Sequence, residues 1–343
     1  MKRQTRDILL LLYCVLVAVF LLSACSDVNA STAPQRDAQT IFAVSNDFKK
    51  GAPTSFIDIH YSRTNIITIR GSGLENYPAY IGEISTGNIF PLYMESSIVT
   101  GSVPVMSDDG NYLAFQTEHK IYIALMSKVA SDNYSISPES LISVFDQRSR
   151  CSLAWSPDSL QLASICLMLD GIKISLYKLG NDKPQDVFQY FEGSIDETEG
   201  VSWSPNETVL AFSLRYGYDD KKNKPSQKDI FLFHLDTHAL LRLTNTPDDE
   251  QYPDWYPEGN ILTFALTAKG DAESHDTRLI FSTEDGRCIK EVPNIKGIVS
   301  PSWSPDGSQI AYISDWTSIK IMETSKFIPQ DFLTPQGLCK VEN

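Results

Sequence analysis

The feature that most constrains this chain is an internal repeat in which an apolar run, a tight polar corner and a second apolar run follow one another. The copies are VMSDDGNYLAF from Val105, AWSPDSLQLAS from Ala154, SWSPNETVLAF from Ser202, DWYPEGNILTF from Asp254 and SWSPDGSQIAY from Ser302. Their aligned positions, Met106, Trp155, Trp203, Trp255 and Trp303, are 49, 48, 52 and 48 residues apart, and a weaker copy, HYSRTNIITI from His60, precedes them by 45. A period of this length is typical of propeller blades.

Inside each unit the pattern predicts four short strands. The corner favours a tight hairpin, because Pro presets the first dihedral of a turn, Asp or Asn caps it, and Gly accepts a positive φ. A third strand follows, as in IKISLY at 172–177. A fourth is predicted in NIFPLY (88–93), DVFQYF (186–191), LLRLT (240–244), CIKEV (288–292) and DFLT (331–334). Helical periodicity is absent after residue 26, which indicates an all-β chain.

The length of the repeat region decides the number of blades. Residues 41–335 span 295 positions, which gives about 49 per blade for six blades and only about 42 for seven. We therefore predict a six-bladed β-propeller with four-stranded antiparallel blades, preceded by a signal peptide (1–24) and a tether (25–40) and followed by a tail (336–343). The segment Ile41-Phe42-Ala43-Val44 is a spare strand, which either closes the ring by pairing with the last blade or only lies against it.

The N-terminus predicts export and a lipid anchor. Three basic residues lie before an apolar run from Ile8 to Leu22, whose 15 residues are few for a membrane span and suit a secretory signal. The following Leu22-Ser23-Ala24-Cys25 resembles a bacterial lipobox, which implies lipidation of Cys25 and an extracytoplasmic protein anchored to a membrane. The alternatives are an ordinary signal peptide and an uncleaved anchor with a chance Cys. The formal net charge of −14 disfavours a nucleic-acid partner, because phosphate backbones repel an acidic protein.

Four cysteines remain after the leader and Cys25, namely Cys151, Cys166, Cys288 and Cys339. An even number in an oxidising compartment permits disulfides, and four cysteines allow three pairings. Cys151 and Cys166 flank one predicted turn, so they lie on neighbouring strands, but the register that would make them face each other is not fixed by the sequence. Four buried thiols are an equally open interpretation.

The WSPDG corner followed by a short strand ending in Ala-Phe or Ala-Tyr resembles the WD40-like repeats of TolB-type propellers, which also occur in the non-catalytic propellers of prolyl oligopeptidase and tricorn-like proteases. The resemblance covers roughly 85% of the chain. It implies the propeller fold and no functional residues, because the matched positions are structural ones. The chain departs from TolB itself, which carries an α/β domain before the propeller, so the partners of TolB are not implied.

Trp residues in the repeat have a structural and a functional interpretation. Exposed Trp stacks on sugars, but a Trp at one phase of four blades is better explained by packing between blades, where each ring buries on the order of 200 Å². Trp316 lies outside the repeat motif, in a loop after a second strand, and is the better candidate for exposure and binding.

Enzyme and metal signatures are absent from the sequence. No Gly-x-Ser-x-Gly nucleophile elbow occurs, so we expect neither enzymatic activity nor catalytic residues. His234 and His238 are four residues apart, a spacing that binds zinc on a helix, but here it brackets a predicted hairpin. We therefore predict no metal site at these histidines.

Acidic loops on one face of the predicted ring form the candidate binding site. The loops are FEGSIDETEG (191–200), RYGYDDKKNKPSQK (215–228), NTPDDEQYPD (245–254) and TAKGDAESHDT (267–277). Their carboxylates are Asp196, Glu197, Glu199, Asp219, Asp220, Asp248, Asp249, Glu250, Asp271 and Glu273. Solvated loops are the simpler interpretation. The functional one is a face for a basic protein or peptide partner, or for calcium, because clustered oxygens attract both.

From these patterns we expect a membrane-tethered binding or scaffold propeller of the bacterial cell envelope, without a cofactor, that holds a protein or peptide partner on its acidic loop face. A propeller enzyme or a carbohydrate-binding protein acting at the central channel is the alternative.

Overall fold

A computed structural model describes residues 38–43, 55–62, 65–72, 78–94, 97–99, 101–117, 120–147, 149–169, 171–190, 195–216, 218–219, 224–225, 227–268 and 277–339. Six sheets of four antiparallel strands follow one another along these residues, one for each repeat. The predicted all-β, six-bladed propeller is therefore confirmed.

The four strands of each blade are given in order, from the inner strand beside the channel to the outer strand at the edge of the ring. They are Ser55–Tyr61, Ile66–Ser72, Ala79–Glu83 and Asn88–Pro91 in blade 1; Val105–Met106, Tyr112–Gln116, Lys120–Leu125 and Leu141–Asp146 in blade 2; and Cys151–Trp155, Gln161–Met168, Gly171–Lys178 and Gln185–Tyr190 in blade 3. They are Ile195–Trp203, Val209–Tyr216, Lys228–His234 and Leu240–Arg242 in blade 4; Asp249–Trp255, Ile261–Thr267, Arg278–Thr283 and Ile289–Lys296 in blade 5; and Val299–Trp303, Gln309–Ser314, Ser318–Glu323 and Gln39–Ala43 in blade 6.

The ring closes because the outer strand of blade 6 comes from the start of the domain. Gln39–Ala43 pairs antiparallel with Ser318–Glu323, with Phe42 opposite Ile319, which decides between the two placements of the spare strand. Phe42 is 2% exposed and packs into the core shared by blades 1 and 6. Gly82 leaves the room for this ring, since a Cβ there would stand 2.8 Å from Phe42 Cζ.

One predicted strand is wrong. The segment DFLT, expected as the outer strand of the last blade, lies in the 3₁₀ helix Gln330–Leu333. The edge that it would occupy is filled by Gln39–Ala43, and Pro329 and Pro335 on either side lack the N–H that a strand needs.

Short helices also occur, which the search for helical periodicity missed because each is at most two turns long. They are Met126–Ser131, Thr324–Phe327, Pro335–Leu338 and the 3₁₀ helix Pro138–Ser140. Two small sheets complete the described elements: Tyr93–Met94 with Ser97–Ile98 and Ser135–Ile136, and Tyr218–Asp219 with Lys224–Pro225. Among the described helices, none has the length and apolar character of a membrane span.

The repeated corner has the hydrogen bonds that its residues predict. In blade 6 the Ser304 hydroxyl donates to Asp306 Oδ1 at 2.7 Å and accepts from the Gln309 N–H at 2.9 Å, while Gly307 takes a φ of +67°. The Trp before each corner is buried, with Trp155, Trp203, Trp255 and Trp303 between 3% and 7% exposed. Trp303 donates its Nε1–H to Thr263 of blade 5 at 2.9 Å. The Trp row therefore packs between blades, as expected.

The four cysteines form two disulfides, Cys151–Cys166 and Cys288–Cys339. Cys151 and Cys166 are direct cross-strand partners in blade 3, which supplies the register that the sequence leaves open. Cys339 lies just after the helix Pro335–Leu338, so the second disulfide joins the C-terminal segment to blade 5.

Candidate functional site

The inner strands of the six blades surround a channel. A narrow section of ≈ 50 Å³ and a wide section of ≈ 270 Å³ share the lining residues His60, Val201, Asp254 and Ser302, so they are consecutive parts of one passage. The wide section lies among the repeated corners, which contribute Asp108, Pro157, Pro205, Pro257 and Pro305 to its lining.

One aligned position of the repeat faces the channel in every blade. It is the residue directly before the Trp or its equivalent, and the six members are His60, Val105, Ala154, Ser202, Asp254 and Ser302. We call this set the middle ring. Four members are small or aliphatic with no charge, whereas blade 1 contributes an imidazole and blade 5 a carboxylate.

Middle-ring side chains join neighbouring inner strands, which belong to separate sheets and share no backbone ladder. Ser202 accepts the Trp255 N–H at 3.1 Å, and Ser302 accepts the Tyr61 N–H at 3.0 Å. Asp254 has the same role, since its Oδ2 accepts the Trp303 N–H at 2.7 Å. Its Oδ1 also accepts from the Ser202 hydroxyl at 2.7 Å, so one carboxylate connects blades 4, 5 and 6.

The ionisable groups of the middle ring have shifted pKa values. Burial raises the pKa of Asp254 to about 6, with a smaller contribution from the Asp108 carboxylate, against the lowering effect of the Trp303 N–H and the serine hydroxyls. Burial lowers the pKa of His60 to about 4, so its imidazole is neutral at pH 7. Its Nδ1 is buried and has no hydrogen-bond partner among the described residues.

The narrow section is shaped by irregular inner strands. Its ring consists of Asp58, Val103, Ser152, Gly200, Tyr252 and Ser300. Gly200, Tyr252 and Ser300 have φ values of +59°, +54° and +48°, and each lies where the pairing with the second strand shifts. A positive φ is an outlier for a residue as bulky as Tyr, and bulges of this kind are frequent beside functional sites.

Polar side chains also line the narrow section. Ser300 donates its hydroxyl to Asp58 at 2.5 Å, which joins blades 6 and 1. Arg70, Arg150 and the buried Ser102 also line this section.

The predicted acidic residues of blade 5 are held inside the junction with blade 4. Contrary to the loop placement, Asp249 and Glu250 begin the inner strand Asp249–Trp255. Glu250 is 0% exposed and accepts hydrogen bonds from the hydroxyls of Thr244, at 3.3 Å, and Thr246. Its carboxylate is therefore not presented to solvent, and this member of the predicted surface site is corrected. The reason is that the polar sequence continues into a strand whose side chains pack against the neighbouring blade.

Charges around Glu250 are compensated locally. Asp229, 1% exposed, pairs with Arg242 at 2.6 Å, and burial raises its pKa to about 6. Burial also raises the pKa of Glu250 to about 7, with Asp229 as a further cause. Asp249 accepts the Lys228 backbone N–H at 2.7 Å, and Asp248 lies 3.7 Å from Arg278.

The other predicted residues are only partly covered by the structure. Asp196, Glu197 and Glu199 lie in the inner strand Ile195–Trp203, and Asp219 in the strand Tyr218–Asp219, without described side chains. Cys25, Asp220, Asp271 and Glu273 lie outside the described residues. Trp316 is 45% exposed at a hairpin turn with a φ of +57°, and its carbonyl accepts the Phe56 N–H at 2.7 Å. No group of three or more His, Cys, Asp or Glu side chains in the described part of the chain is arranged to hold a metal ion.

Sequence reasoning missed the two ionisable members of the middle ring. Both appear in the aligned repeat strings, where His60 and Asp254 stand in the column that otherwise holds Val, Ala and Ser. Side chains alternate along a strand, so the residue before a buried Trp points to the opposite face of the sheet from that Trp. In all six blades the residue at this aligned position lines the channel. A comparison of columns would have found them.

No family model matches the chain. Among curated proteins, the uncharacterized peptidase YuxL of Bacillus subtilis is 29% identical over 108 residues, which are 32% of this chain and 16% of that protein. An uncharacterized protein of Agrobacterium fabrum is 25% identical over 172 residues, which are 46% of this chain and 53% of that protein. The chain thus spans about half or less of the length of these relatives.

Solved structures with the same fold include two TolB proteins. One, assigned as TolB from Agrobacterium tumefaciens, has a TM-score of 0.52 and 17% identity, and the match covers 78% of this chain and 90% of that one. TolB from Acinetobacter baumannii has a TM-score of 0.52 and 15% identity over 79% of this chain and 60% of that one. An oligogalacturonate lyase from Vibrio parahaemolyticus has a TM-score of 0.50 and 10% identity, and the match covers 80% of this chain and 76% of that one. In its fold, the chain is therefore a TolB-like six-bladed β-propeller protein.

Proposed function

We propose that this chain is a non-enzymatic binding or scaffold propeller of the bacterial cell envelope that holds a peptide or protein partner at its central channel. The observation that carries the proposal is the wide section, a cavity of ≈ 270 Å³ walled by the repeat corners of several blades. Small-molecule sites usually occupy about 300–1,000 Å³. A space slightly below that range suits a side chain or the end of a peptide.

The channel is also preorganised. Side-chain hydrogen bonds from Ser202, Asp254 and Ser302 tie neighbouring inner strands together, and the strand Gln39–Ala43 closes the ring. A rigid site binds more tightly because little conformational entropy is lost on association. The acidic loop face is the weaker location for the partner, since Glu250 is buried and Asp249 is engaged by the Lys228 backbone.

The membrane tether is the second part of the proposal. The lipobox-like Leu22-Ser23-Ala24-Cys25 supports acylation of Cys25, which would place the propeller outside the cytoplasm at a membrane. Cys25→Ala should move the protein out of the membrane fraction or block its processing. Mass spectrometry that finds an unmodified mature N-terminus at another residue would contradict the tether.

A pull-down from native envelopes tests where the partner binds. Ala154→Phe adds an aromatic ring at a wide-section position that is 6% exposed, whereas Leu160→Phe adds the same ring at a 50% exposed position of the same blade. We expect captured partners to be lost with Ala154→Phe and kept with Leu160→Phe, both variants melting near wild type. Loss with Asp248→Lys instead would place binding on the acidic loop face.

A second candidate function is an enzyme or carbohydrate-binding protein that acts in the same channel. It is favoured by a neutral imidazole at His60 and by the carboxyl of Asp254, whose pKa near 6 suits general acid–base chemistry. Incubation with acidic oligosaccharides tests it, including the oligogalacturonides that the name of the Vibrio protein specifies. Turnover that disappears in His60→Ala would support this candidate over the first.

A further inference from the structure

Asp254 carries a charge that its counterparts in the neighbouring blades, Ser202 and Ser302, do not carry. Its neighbours in the middle ring, Ser202 and Ser302, accept the equivalent N–H of the next blade with an uncharged hydroxyl, at 3.1 Å and 3.0 Å. Asp254 accepts the Trp303 N–H in the same way, at 2.7 Å. A serine in blade 5 would keep an acceptor for this N–H but would remove the carboxylate oxygen that accepts from the Ser202 hydroxyl at 2.7 Å. What distinguishes Asp254 from the two serines is the negative charge that it places at the channel.

A second carboxylate in the lining of the same section also departs from the repeat. Asp108 stands in the column where blades 3 to 6 have Pro157, Pro205, Pro257 and Pro305. Asp108 and Asp254 line the wide section together and repel each other across it. Two like charges in a cavity with low-dielectric walls focus a negative potential into the cavity.

The two arginines that line the passage, Arg70 and Arg150, lie in the narrow section and not in the wide one. The described residues around the wide section include these two carboxylates and no Lys or Arg side chain, and the His60 imidazole is neutral. His60 Nδ1 is also a buried atom whose hydrogen bonding is unsatisfied within the described residues. Buried polar atoms are nearly always paired, and a neutral imidazole nitrogen can accept a hydrogen bond. A guest with N–H donors would satisfy it.

We infer that the wide section is a recognition site for an organic cation, the ammonium or guanidinium group of a lysine, arginine or peptide N-terminus, held by the carboxylates of Asp254 and Asp108. The inference rests on the proposed function, because it names the chemical group that the partner places in the channel. An ammonium group needs only three acceptors, whereas calcium takes about six to eight oxygen ligands. Two carboxylates and the neighbouring serine hydroxyls match the smaller requirement.

The test is a titration of the full propeller with two capped tripeptides, glycyl-lysyl-glycine and glycyl-norleucyl-glycine. Norleucine keeps the aliphatic chain of lysine and lacks the amine. The backbone amide of Trp303 donates to Asp254, so its NMR signal reports directly on the proposed site. We expect the lysine peptide to shift this signal in a saturable way and the norleucine peptide to leave it unchanged.

Asp254→Ser is the decisive variant, because it copies the residue of blades 4 and 6 and keeps an acceptor for the Trp303 N–H. It should weaken lysine-peptide binding about tenfold, in line with the loss of one charge-assisted hydrogen bond. Asp331→Ser, an exposed acid outside the channel lining, is the matched control and should bind like wild type. Asp108→Asn should also weaken binding, and it serves as the test if Asp254→Ser does not fold.

Three results would overturn the inference: equal shifts with both peptides, wild-type affinity in Asp254→Ser and Asp108→Asn, or a Trp303 shift with calcium alone. Failure here is separable from failure of the proposed function. If Ala154→Phe loses the envelope partners while Asp254→Ser keeps them, the channel binds a partner that does not depend on the Asp254 carboxylate. If the lysine peptide binds but Ala154→Phe keeps every partner, the cation site exists and the proposed function is wrong.

Discussion

The middle ring of the channel and the junction between blades 4 and 5 both place carboxylates inside the propeller, with opposite surroundings. At the junction, Glu250 is fully buried behind threonine hydroxyls, and Asp229 is paired with Arg242 at 2.6 Å. In the ring, Asp254 borders an open cavity and shares it with a second acid. An acidic stretch of sequence therefore does not by itself locate a binding site. What separates the two regions is whether a basic side chain or a hydroxyl group lies against the carboxylates, as it does at the junction.

The largest effect on stability is expected from a Trp that follows a middle-ring residue and packs between two blades. Trp203 follows Ser202, is 7% exposed and packs into the core of blades 3 and 4. Trp203→Ala should lower the free energy of unfolding by about 3–5 kcal/mol, because the emptied volume cannot be refilled. Chemical denaturation measures this. A variant that unfolds like wild type and loses only peptide binding would make the Trp row functional and not structural.

The second-largest effect on stability is expected at the junction between blades 4 and 5, when the positive charge of Arg242 is removed. Arg242→Ala leaves Asp229 buried without its ion pair. Breaking a fully buried pair costs about 3–5 kcal/mol, and the 35% exposure of Arg242 reduces the expected cost to about 2–3 kcal/mol. Arg287→Ala, whose partner Asp285 is exposed, is the control and should change stability by less than about 1 kcal/mol. Equal effects of the two variants would show that the junction pair is an ordinary surface pair.

The junction also predicts a pH dependence of stability. The pKa of Glu250 is raised in the folded state to about 7, so its protonated form favours folding below its ordinary pKa of 4.5, and this stabilisation is lost as the pH rises through 7. Asp229, whose pKa is about 6, acts in the same direction, with Arg242, Asp248 and Asp249 as the other charges nearby. Melting temperatures between pH 5 and 8.5 should fall more steeply for wild type than for Glu250→Gln. Glu258→Gln, at an exposed corner of the same blade, should follow the wild-type curve.

In the ring, two substitutions of Asp254 separate hydrogen bonding from charge. Asp254→Val removes the acceptor for the Trp303 N–H and the Ser202 hydroxyl, which should cost about 1–3 kcal/mol because buried donors lose their partner. Asp254→Ser should change the free energy of unfolding by less than about 1 kcal/mol. Similar losses in both variants would mean that the carboxylate itself is structural, as at the junction.

Much of the fold was predictable from the sequence, because spacings of 48, 49 and 52 residues and a repeated corner leave few architectures. The segment that supplies the outer strand of blade 6 was not predictable. Closure of the ring depends on a pairing between Gln39–Ala43 and Ser318–Glu323, which lie at opposite ends of the domain. Glu250 was misplaced because NTPDDEQYPD is polar and contains Pro, as loops do, while its strand carries a bulge before Asp254. The channel acids were visible only as exceptions within aligned columns.

The smallest effect is expected at the exposed edge of the junction, where Asp248 lies 3.7 Å from Arg278 and both side chains are about one quarter exposed. Solvent and salt screen such a pair, so Asp248→Asn should change the free energy of unfolding by no more than about 0.5 kcal/mol. Arg278 also keeps its contact with Glu291 at 3.2 Å, which holds its position when Asp248 is neutralised. Denaturation at low and high salt measures the difference. A loss larger than that of Asp254→Val would show that the acidic face stabilises the ring, and the contrast between a sealed junction and an open channel would no longer hold.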